Sequence, residues 1–278
     1  MLRLSGRSLR LDRPLVMGIL NITPDSFSDG GHWLRLDDAL RHAGEMVDAG
    51  VDVIDVGGES TRPGSRAVST EEELNRVIPL IELLSGETGV PISIDSSKPD
   101  VMQAAVSAGA AMINDVFALR HEGAVELASS LGVPVCLMHM RGQPRDMQQR
   151  TQYEDVVAEV AGFLEARVNT CLAAGIARDD IVLDPGFGFG KNLSQNVALF
   201  HAIPRLRQLG FPLLVGVSRK SMLGEITGRQ VNHRLAASVA AAVLAAQQGA
   251  AILRVHDVRE TVDALKTCLT LDPGQAKH

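Results

Sequence analysis

Short apolar runs, each closed by a polar residue, recur along nearly the whole chain. LVMGIL ends at Asn21, VDVIDV runs into Gly57-Gly58-Glu59, and PISI ends at Asp95. AAMI ends at Asn114, VPVCLM at His139, DIVL at Asp184, FPLLVGV at Ser218 and AAIL at Arg254. The runs are apolar throughout rather than alternating, which is the pattern of strands covered on both faces in a parallel sheet. Helical stretches separate most of them. Eight repeats of strand, polar tip and helix predict an α/β fold, a (β/α)8 TIM barrel, whose strand ends build one site at the C-terminal face. An open doubly wound sheet is the competing arrangement. Against it, no G-x-G-x-x-G follows the first strand, and polar tips occur on every strand rather than at one switch point.

The pattern places strands at 15–20, 51–56, 92–94, 111–113, 134–138, 181–183, 213–217 and 251–253. Ahead of them, residues 2–12 alternate with period two around a Gly/Ser turn and predict a short β-hairpin that plugs the N-terminal end of the barrel. The first helix is expected over 37–49, capped by Asp37 or Asp38, and the second is opened by Ser69 or Thr70 with the glutamates that follow. Later helices are expected from Pro99, from about Glu122, over 153–173, from near Ser194, over 234–248 and from Arg259 to about Leu271. No linker divides the chain, so 1–278 reads as a single domain, with a hairpin at 1–13 and a frayed tail at 272–278. The loops after the first and second strands are long and polar, the form of lids at a catalytic face. The helix RLAASVAAAVLAAQQG is apolar almost all round, whereas an outer barrel helix normally keeps a wet face. Tight packing between neighbouring barrel helices is the plain reading; the missing wet face puts a homodimer interface ahead of it.

Composition narrows the classes. Apolar residues make 45% of the chain and charged residues 22%, an ordinary globular balance. A net charge of −6 argues against nucleic acid or an anionic membrane surface as the main partner. No run approaches the roughly 20 apolar residues of a membrane span, and the Leu/Arg alternation at the N-terminus lacks the core of a signal peptide. Cys136, Cys171 and Cys268 lie far apart and outside any metal or redox spacing, the profile of reduced thiols. A cytoplasmic protein is expected.

The polar tips set the chemistry. Asp95, Asn114 and Asp184 end three different strands and should point into one cavity. They suit an acid–base pair, or recognition of a flat heterocycle rich in N–H donors, since carboxylates accept and Asn both accepts and donates. Capping of neighbouring loops is the plain structural alternative for any one of them. Arg254 and His256 alternate along the last strand and so share a face, where two such groups suit phosphate. Lys220, in Ser218-Arg219-Lys220-Ser221, reads as a cavity cation beside a helix N-terminus. The stretch Asp184-Pro-Gly-Phe-Gly-Phe-Gly-Lys191 is neither a Walker loop nor a dinucleotide fingerprint, and Gly216-Val-Ser218-Arg-Lys220 is no nucleophile elbow. The glycines are expected to allow close approach to a planar ligand, with Phe189 as a wall and Met138 and His139 as floor. His139 has no second His or Cys at ligand spacing. The first loop holds Asn21, Thr23, Asp25, Phe27 and Asp29; the second holds Glu59, Ser60, Thr61, Arg62 and Pro63.

Taken in order, MGILNITPDSFSDGG, DVGGESTRPG, SIDSSKP, IND, LMHM, LDPGFGFGKN, GVSRKS and RVHDV resemble the dihydropteroate synthases of folate biosynthesis over essentially the whole chain. The departures, Ile22 where Val is common and Ser96 where Thr is common, are conservative. The resemblance implies that (7,8-dihydropterin-6-yl)methyl diphosphate is joined to p-aminobenzoate with release of diphosphate, with Mg2+ as cofactor. It implies that Asp95, Asn114 and Asp184 hold the pterin ring, and that Lys220 contacts its carbonyl and ring nitrogen. Arg254 would stack on the ring and, with His256 and Asn21, hold the diphosphate, Asn21 also being the Mg2+ ligand. Thr61 and Arg62 would close the second loop. Phe27, Pro63 and Ser218 would form the p-aminobenzoate pocket, where sulfonamides compete, while Met138 and Phe189 line the pterin. The implied route is dissociative, with Asp29 stabilising a pterin cation. A pterin-dependent methyltransferase would share the pterin-holding set but has no use for the two loops or a diphosphate clamp. An inert binding relative would not need Asn21, Asp29, Arg62, Lys220, Arg254 and His256 together.

Overall fold

In the computed structural model, residues 1–4, 7–22, 32–61, 64–65, 67–144 and 146–271 are described. The chain opens with an antiparallel hairpin, β1 (Leu2–Leu4) and β2 (Arg7–Leu9). Eight strands then alternate with helices. β3 (Leu15–Asn21) leads to α1 (His32–Asp48), β4 (Val53–Gly57) to α2 (Thr70–Glu87), β5 (Ile92–Asp95) to α3 (Pro99–Ser107) and β6 (Met112–Asp115) to α4 (Ala124–Leu131). β7 (Val135–Met138) leads to α5 (Val156–Ala173), and β8 (Ile181–Asp184) to α6 (Leu193–His201) and the short α7 (Ile203–Leu206). β9 (Leu214–Val215) is followed by α8 (Ser221–Thr227) and α9 (Leu235–Gln247), and β10 (Ile252–Val255) by α10 (Val258–Leu271).

The strands are parallel in the order β8-β7-β6-β5-β4-β3-β10-β9. A parallel bridge between Leu183 and Leu213, with the Leu183 amide donating to Pro212 O at 2.9 Å, joins the two ends. The result is the (β/α)8 barrel that the sequence predicts. Side-chain parity sorts the strand residues into two cores. Outward residues such as Ile54, Ile94, Ile113, Leu137 and Leu183 pack with the helices in the main apolar cluster. Inward residues Leu15, Met17, Val53, Met112, Cys136, Val182, Leu214 and Ile252 fill the lower barrel with Leu2 and Leu4 of the hairpin. The hairpin is thus the plug expected from residues 2–12. Arg13 anchors its exit by a two-point contact with Asp52, at 2.9 and 2.6 Å.

Several boundaries differ from the sequence reading. α1 begins at His32, so Asp37 and Asp38 are interior, not caps, and Asp38 pairs with Arg41 at 3.0 Å. Buried Leu36, Ala39, Ala43 and Met46 form one continuous stripe, which carries the helix upstream of the acidic pair. Ser69 caps α2 by accepting from the Glu72 amide at 3.1 Å, but Glu72 turns to Arg76 instead of closing a capping box. Asp155 caps α5, which starts at Val156 rather than near 153, because its carboxylate takes the Val157 and Ala158 amides. β9 is only two residues long, since the chain beyond Val215 leaves the ladder to form the site. The tail at 272–278 lies outside the described residues.

Leu4 is fully buried in the plug. Leu4→Ala should lower unfolding free energy by about 2–5 kcal/mol, the usual range for a buried Leu truncation, as read by denaturant titration. An unchanged midpoint and slope would show that the hairpin does not close the barrel.

Candidate active site

Ladder register brings the polar tips together. Asn21 is level with Gly57, Gly57 with Asp95, and Asp95 with Asn114. Met138 is level with Asp184 on the neighbouring pair. These residues form a polar storey directly above the apolar lower barrel, at the C-terminal ends of the strands. Asp95, Asn114, Asp184 and Ser218 are buried and Asn21 is half-buried. Gly57 lets two of them approach: a Cβ there would lie 2.9 Å from Asn21 Oδ1 and 3.6 Å from Asp95 Cβ.

Arg254 starts lower, level with Met17, and reaches upward. Its Nε donates to Asp55 Oδ2 and its Nη2 to Asp95 Oδ2, each at 2.6 Å. Gly216 lies beside the Arg254 stem, where a Cβ would be 3.7 Å from Arg254 Cβ. Burial works against the guanidinium charge, but Asp55 and Asp95 more than offset this, so its pKa is raised. Burial also pushes the Asp95 carboxyl up, with Arg254 opposing. Asp184 is raised by burial too, although Lys220 and the Gly186 amide, which donates to Oδ1 at 2.7 Å, pull the other way. Asn114 donates from Nδ2 to Asp55 Oδ2 at 3.1 Å.

Lys220 donates to Phe187 O, and its Nζ sits 4.6 Å from the centroid of the Phe189 ring. Burial lowers its pKa to about 8, with Asp184 resisting the shift. Phe189 and Met138 belong to one small apolar cluster with Val116, Met140 and Met147, which supplies the flat wall. Ser218 Oγ lies 3.0 Å from His256 Nδ1 and accepts from the His256 amide at 3.2 Å, so the last two barrel strands present a Ser/His pair beside Arg254. Arg219, between Ser218 and Lys220, adopts φ 57°, a left-handed backbone held by its ion pair with Asp257 and by its amide donating to Ser238 Oγ. That turn aims Ser218 and Lys220 inward while Arg219 points elsewhere.

The structure therefore brings together Asn21, Asp95, Asn114, Met138, Asp184, Phe189, Ser218, Lys220, Arg254 and His256. Thr61 stands half-buried where the second loop leaves the barrel. Phe27, Asp29, Arg62 and Pro63, with Thr23 and Asp25, lie outside the described residues. Glu59 is drawn away from the cavity: with buried Glu73 it binds Lys98, fixing the base of that loop to α2 and α3.

One expectation needs correction. His139 is not cavity floor. One residue beyond inward-facing Met138, it turns outward, packs edge-on to Phe163 at 5.0 Å and meets Lys191 Nζ at 3.0 Å through Nδ1. Burial and then Lys191 lower its pKa to about 2, so it is neutral. Two glycines of PGFGFGK are required by the backbone packing of the loop itself. At Gly186 (φ 70°) a Cβ would overlap His139 O, and at Gly190 (φ 67°) it would lie 2.8 Å from Arg141 O. Lys191 fastens this loop by donating to Gly186 O at 2.8 Å and Phe189 O at 3.1 Å. Burial lowers its pKa to about 7, with Asp184 opposing. Asp55 and Lys191 were missed by sequence reasoning. Asp55 did carry a signal, a carboxylate inside an apolar strand run at the same parity as Val53 and Gly57.

One family model, described as pterin binding enzyme, matches residues 17–256. Dihydropteroate synthase of Escherichia coli (strain K12) is 52% identical over 261 residues, 94% of this chain and 93% of the relative. That of Haemophilus influenzae is 48% identical, over 94% of this chain and 95% of the relative. Among solved structures, Xanthomonas albilineans dihydropteroate synthase with 4-aminobenzoic acid superposes with a TM-score of 0.92 at 53% identity, covering 98% of each chain. The same enzyme in complex with 7,8-dihydropteroate gives 0.88 at 50% identity, covering 98% of this chain and 99% of that one. The Yersinia pestis enzyme with a sulfonamide drug complex gives 0.92 at 50%, covering 97% and 98%. The chain belongs to the dihydropteroate synthase family of transferases.

Proposed function

We propose that this site joins (7,8-dihydropterin-6-yl)methyl diphosphate to p-aminobenzoate by a dissociative substitution. The observation that carries the reading is one storey holding Asp95, Asn114 and Asp184 beside Lys220, Arg254 and the Ser218/His256 pair. The acceptors match the amino and ring N–H groups of a dihydropterin, and Lys220 its carbonyl and ring nitrogen. Met138 and Phe189 cover its faces. Arg254 and His256, with Asn21, hold the diphosphate, and Ser218 with Phe27 and Pro63 receives p-aminobenzoate, closed over by Thr61 and Arg62. The bond from the methylene carbon to the bridging oxygen breaks with its electron pair on diphosphate. Asp29 stabilises the resulting cation, the arylamine lone pair forms the new C–N bond, and the amine proton leaves. Positioning and charge stabilisation carry such a reaction without a covalent nucleophile.

Mg2+ fits this reading through Asn21. Among the described residues there is no cluster of three or more His, Cys, Asp or Glu able to cage a metal. Magnesium takes oxygen ligands, keeps several waters and draws part of its shell from substrate phosphates, and the absence of a Cβ at Gly57 leaves Asn21 Oδ1 open on that side. When bound there, the ion would neutralise charge on the leaving diphosphate.

Among the described residues no helix is long and apolar enough to cross a membrane. We place the reaction in the cytoplasm, in keeping with the free, separated thiols. α9 supports a homodimer: Leu235 and Leu244 are exposed on the same apolar helix whose other side is buried through Ala241, Ala242 and Ala245.

Three outcomes test these readings. Diphosphate release should require the pterin diphosphate and Mg2+ and be strongly stimulated by p-aminobenzoate; release indifferent to the pterin substrate would sink the reaction class. Lys220 should lose its proton as pH rises through about 8, so kcat/KM for the pterin diphosphate should fall above that pH, approaching tenfold per unit. Lys220→Arg, which does not titrate there, should lower the plateau and move the decline upward; an unmoved decline assigns it to another group. Leu244→Glu should convert the dimer to a monomer in light scattering, and a dimer that survives it would remove α9 from the interface.

A further inference from the structure

Asp55 is completely buried in the middle of β4, one storey beneath the polar mouth. Its Oδ2 accepts from Arg254 Nε and from Asn114 Nδ2, while its Oδ1 is buried without a hydrogen-bond partner. Buried carboxylates are normally satisfied at both oxygens, and one that is not calls for an explanation. Here both donors converge on one oxygen, and both belong to groups that the proposed function assigns to the pterin diphosphate.

Chemistry fixes the consequence. Asp55 Oδ2 accepts from the Arg254 guanidinium and from Asn114 Nδ2, so the edge of the Asn114 carboxamide turned toward it is the NH2. The oxygen of that carboxamide is then directed away from Asp55. Without such a partner the amide can rotate and offer either a donor or an acceptor. We infer that Asp55 is a positioning residue that locks the Asn114 carboxamide as an acceptor, completing with Asp95 and Asp184 a three-acceptor set that selects the donor-bearing amino edge of a pterin over an oxo edge. This inference rests on the pterin reading of the site and adds the origin of its selectivity. Asp55 does not touch the substrate; it acts through Asn114, with Arg254 held by the same oxygen.

The test compares binding of 6-hydroxymethylpterin with binding of 6-hydroxymethyllumazine, in which an oxo group replaces the 2-amino group. A site built around donors on its ligand rejects an analogue lacking them. Calorimetry on the intact protein should show a strong preference for the pterin. Asp55→Leu should narrow that preference by about tenfold or more, a loss worth one hydrogen-bond mismatch. Asp55→Asn keeps an oxygen in the position of Oδ2 and should largely retain the preference, a rescue that general loosening of the barrel would not give. An unchanged ratio in Asp55→Leu overturns the inference. If that variant does not fold, the unmodified protein decides. The Asn114 side-chain NH2 signal, assigned by its loss in Asn114→Asp, should exchange slowly with solvent in the ligand-free state; fast exchange overturns the inference. Failure of the unmodified protein to bind either pteridine would instead bring down the pterin reading itself.

Discussion

The bridge from Arg254 to Asp55 and Asp95 is the constraint around which the mouth of the barrel is organised. Two carboxylates on adjacent strands, one storey apart, repel each other and lose hydration, and neither is stable there alone. A guanidinium answers both because its nitrogens are spread along a rigid plane that can contact two acceptors at once. It must come from below, since a short side chain level with Asp95 would fill the cavity. β10 supplies it from the level of Met17, with Gly216 leaving room beside its stem. Breaking the bridge by removing either partner would leave uncompensated buried charge, which costs far more than a surface ion pair.

That bridge also marks the boundary between two halves of the barrel with different physics. Below it the interior is a close-packed apolar plug, finished by Leu2 and Leu4 of the hairpin. Above it the strand ends are polar and their positions relative to one another are set by backbone ladders. Asp95 and Asn114 are level because β5 and β6 pair in that register, and shifting one against the other would break several strand hydrogen bonds. Rigidity at the bottom is what permits strained or costly features at the top, among them the left-handed Arg219 and the buried Lys191.

The strand-tip residues were legible in the sequence because an apolar run that stops at a polar residue says where a parallel strand meets its loop. Asp95, Asn114 and Asp184 follow from that rule, and Arg254 and His256 from period-two parity. The same parity, applied at Met138, would have turned His139 outward. Asp55 stands inside a run rather than at its end, and its place in a second layer has no sequence signature beyond a charge among apolar neighbours. Lys191 was hidden for a different reason. Its role is to satisfy carbonyls of a loop whose fold is decided by the approach of the His139 and Arg141 backbone. The early start of α1 was missed because the Pro-, Ser-, Asp- and Gly-rich segment ahead of His32 extends a loop reading as far as Leu36, while the buried stripe that begins at Leu36 prevails in the folded chain.

The division of labour between strands and loops follows from what each step of the proposed reaction needs. Recognising a flat, donor-rich ring demands acceptors fixed in angle and spacing, which parallel strand ends provide at no further cost in conformational entropy. Trapping a short-lived cation with an arylamine demands instead that the second substrate meet the site only when the first is in place. Phe27, Asp29, Arg62 and Pro63, which the sequence places in the segments after the first two barrel strands, are the residues that the proposed reaction assigns to this second task. Asn21 and Thr61 stand at the junctions, the first closing β3 and the second where the other loop leaves the barrel. Diphosphate held at Arg254, His256 and Asn21 would therefore sit where both loops begin.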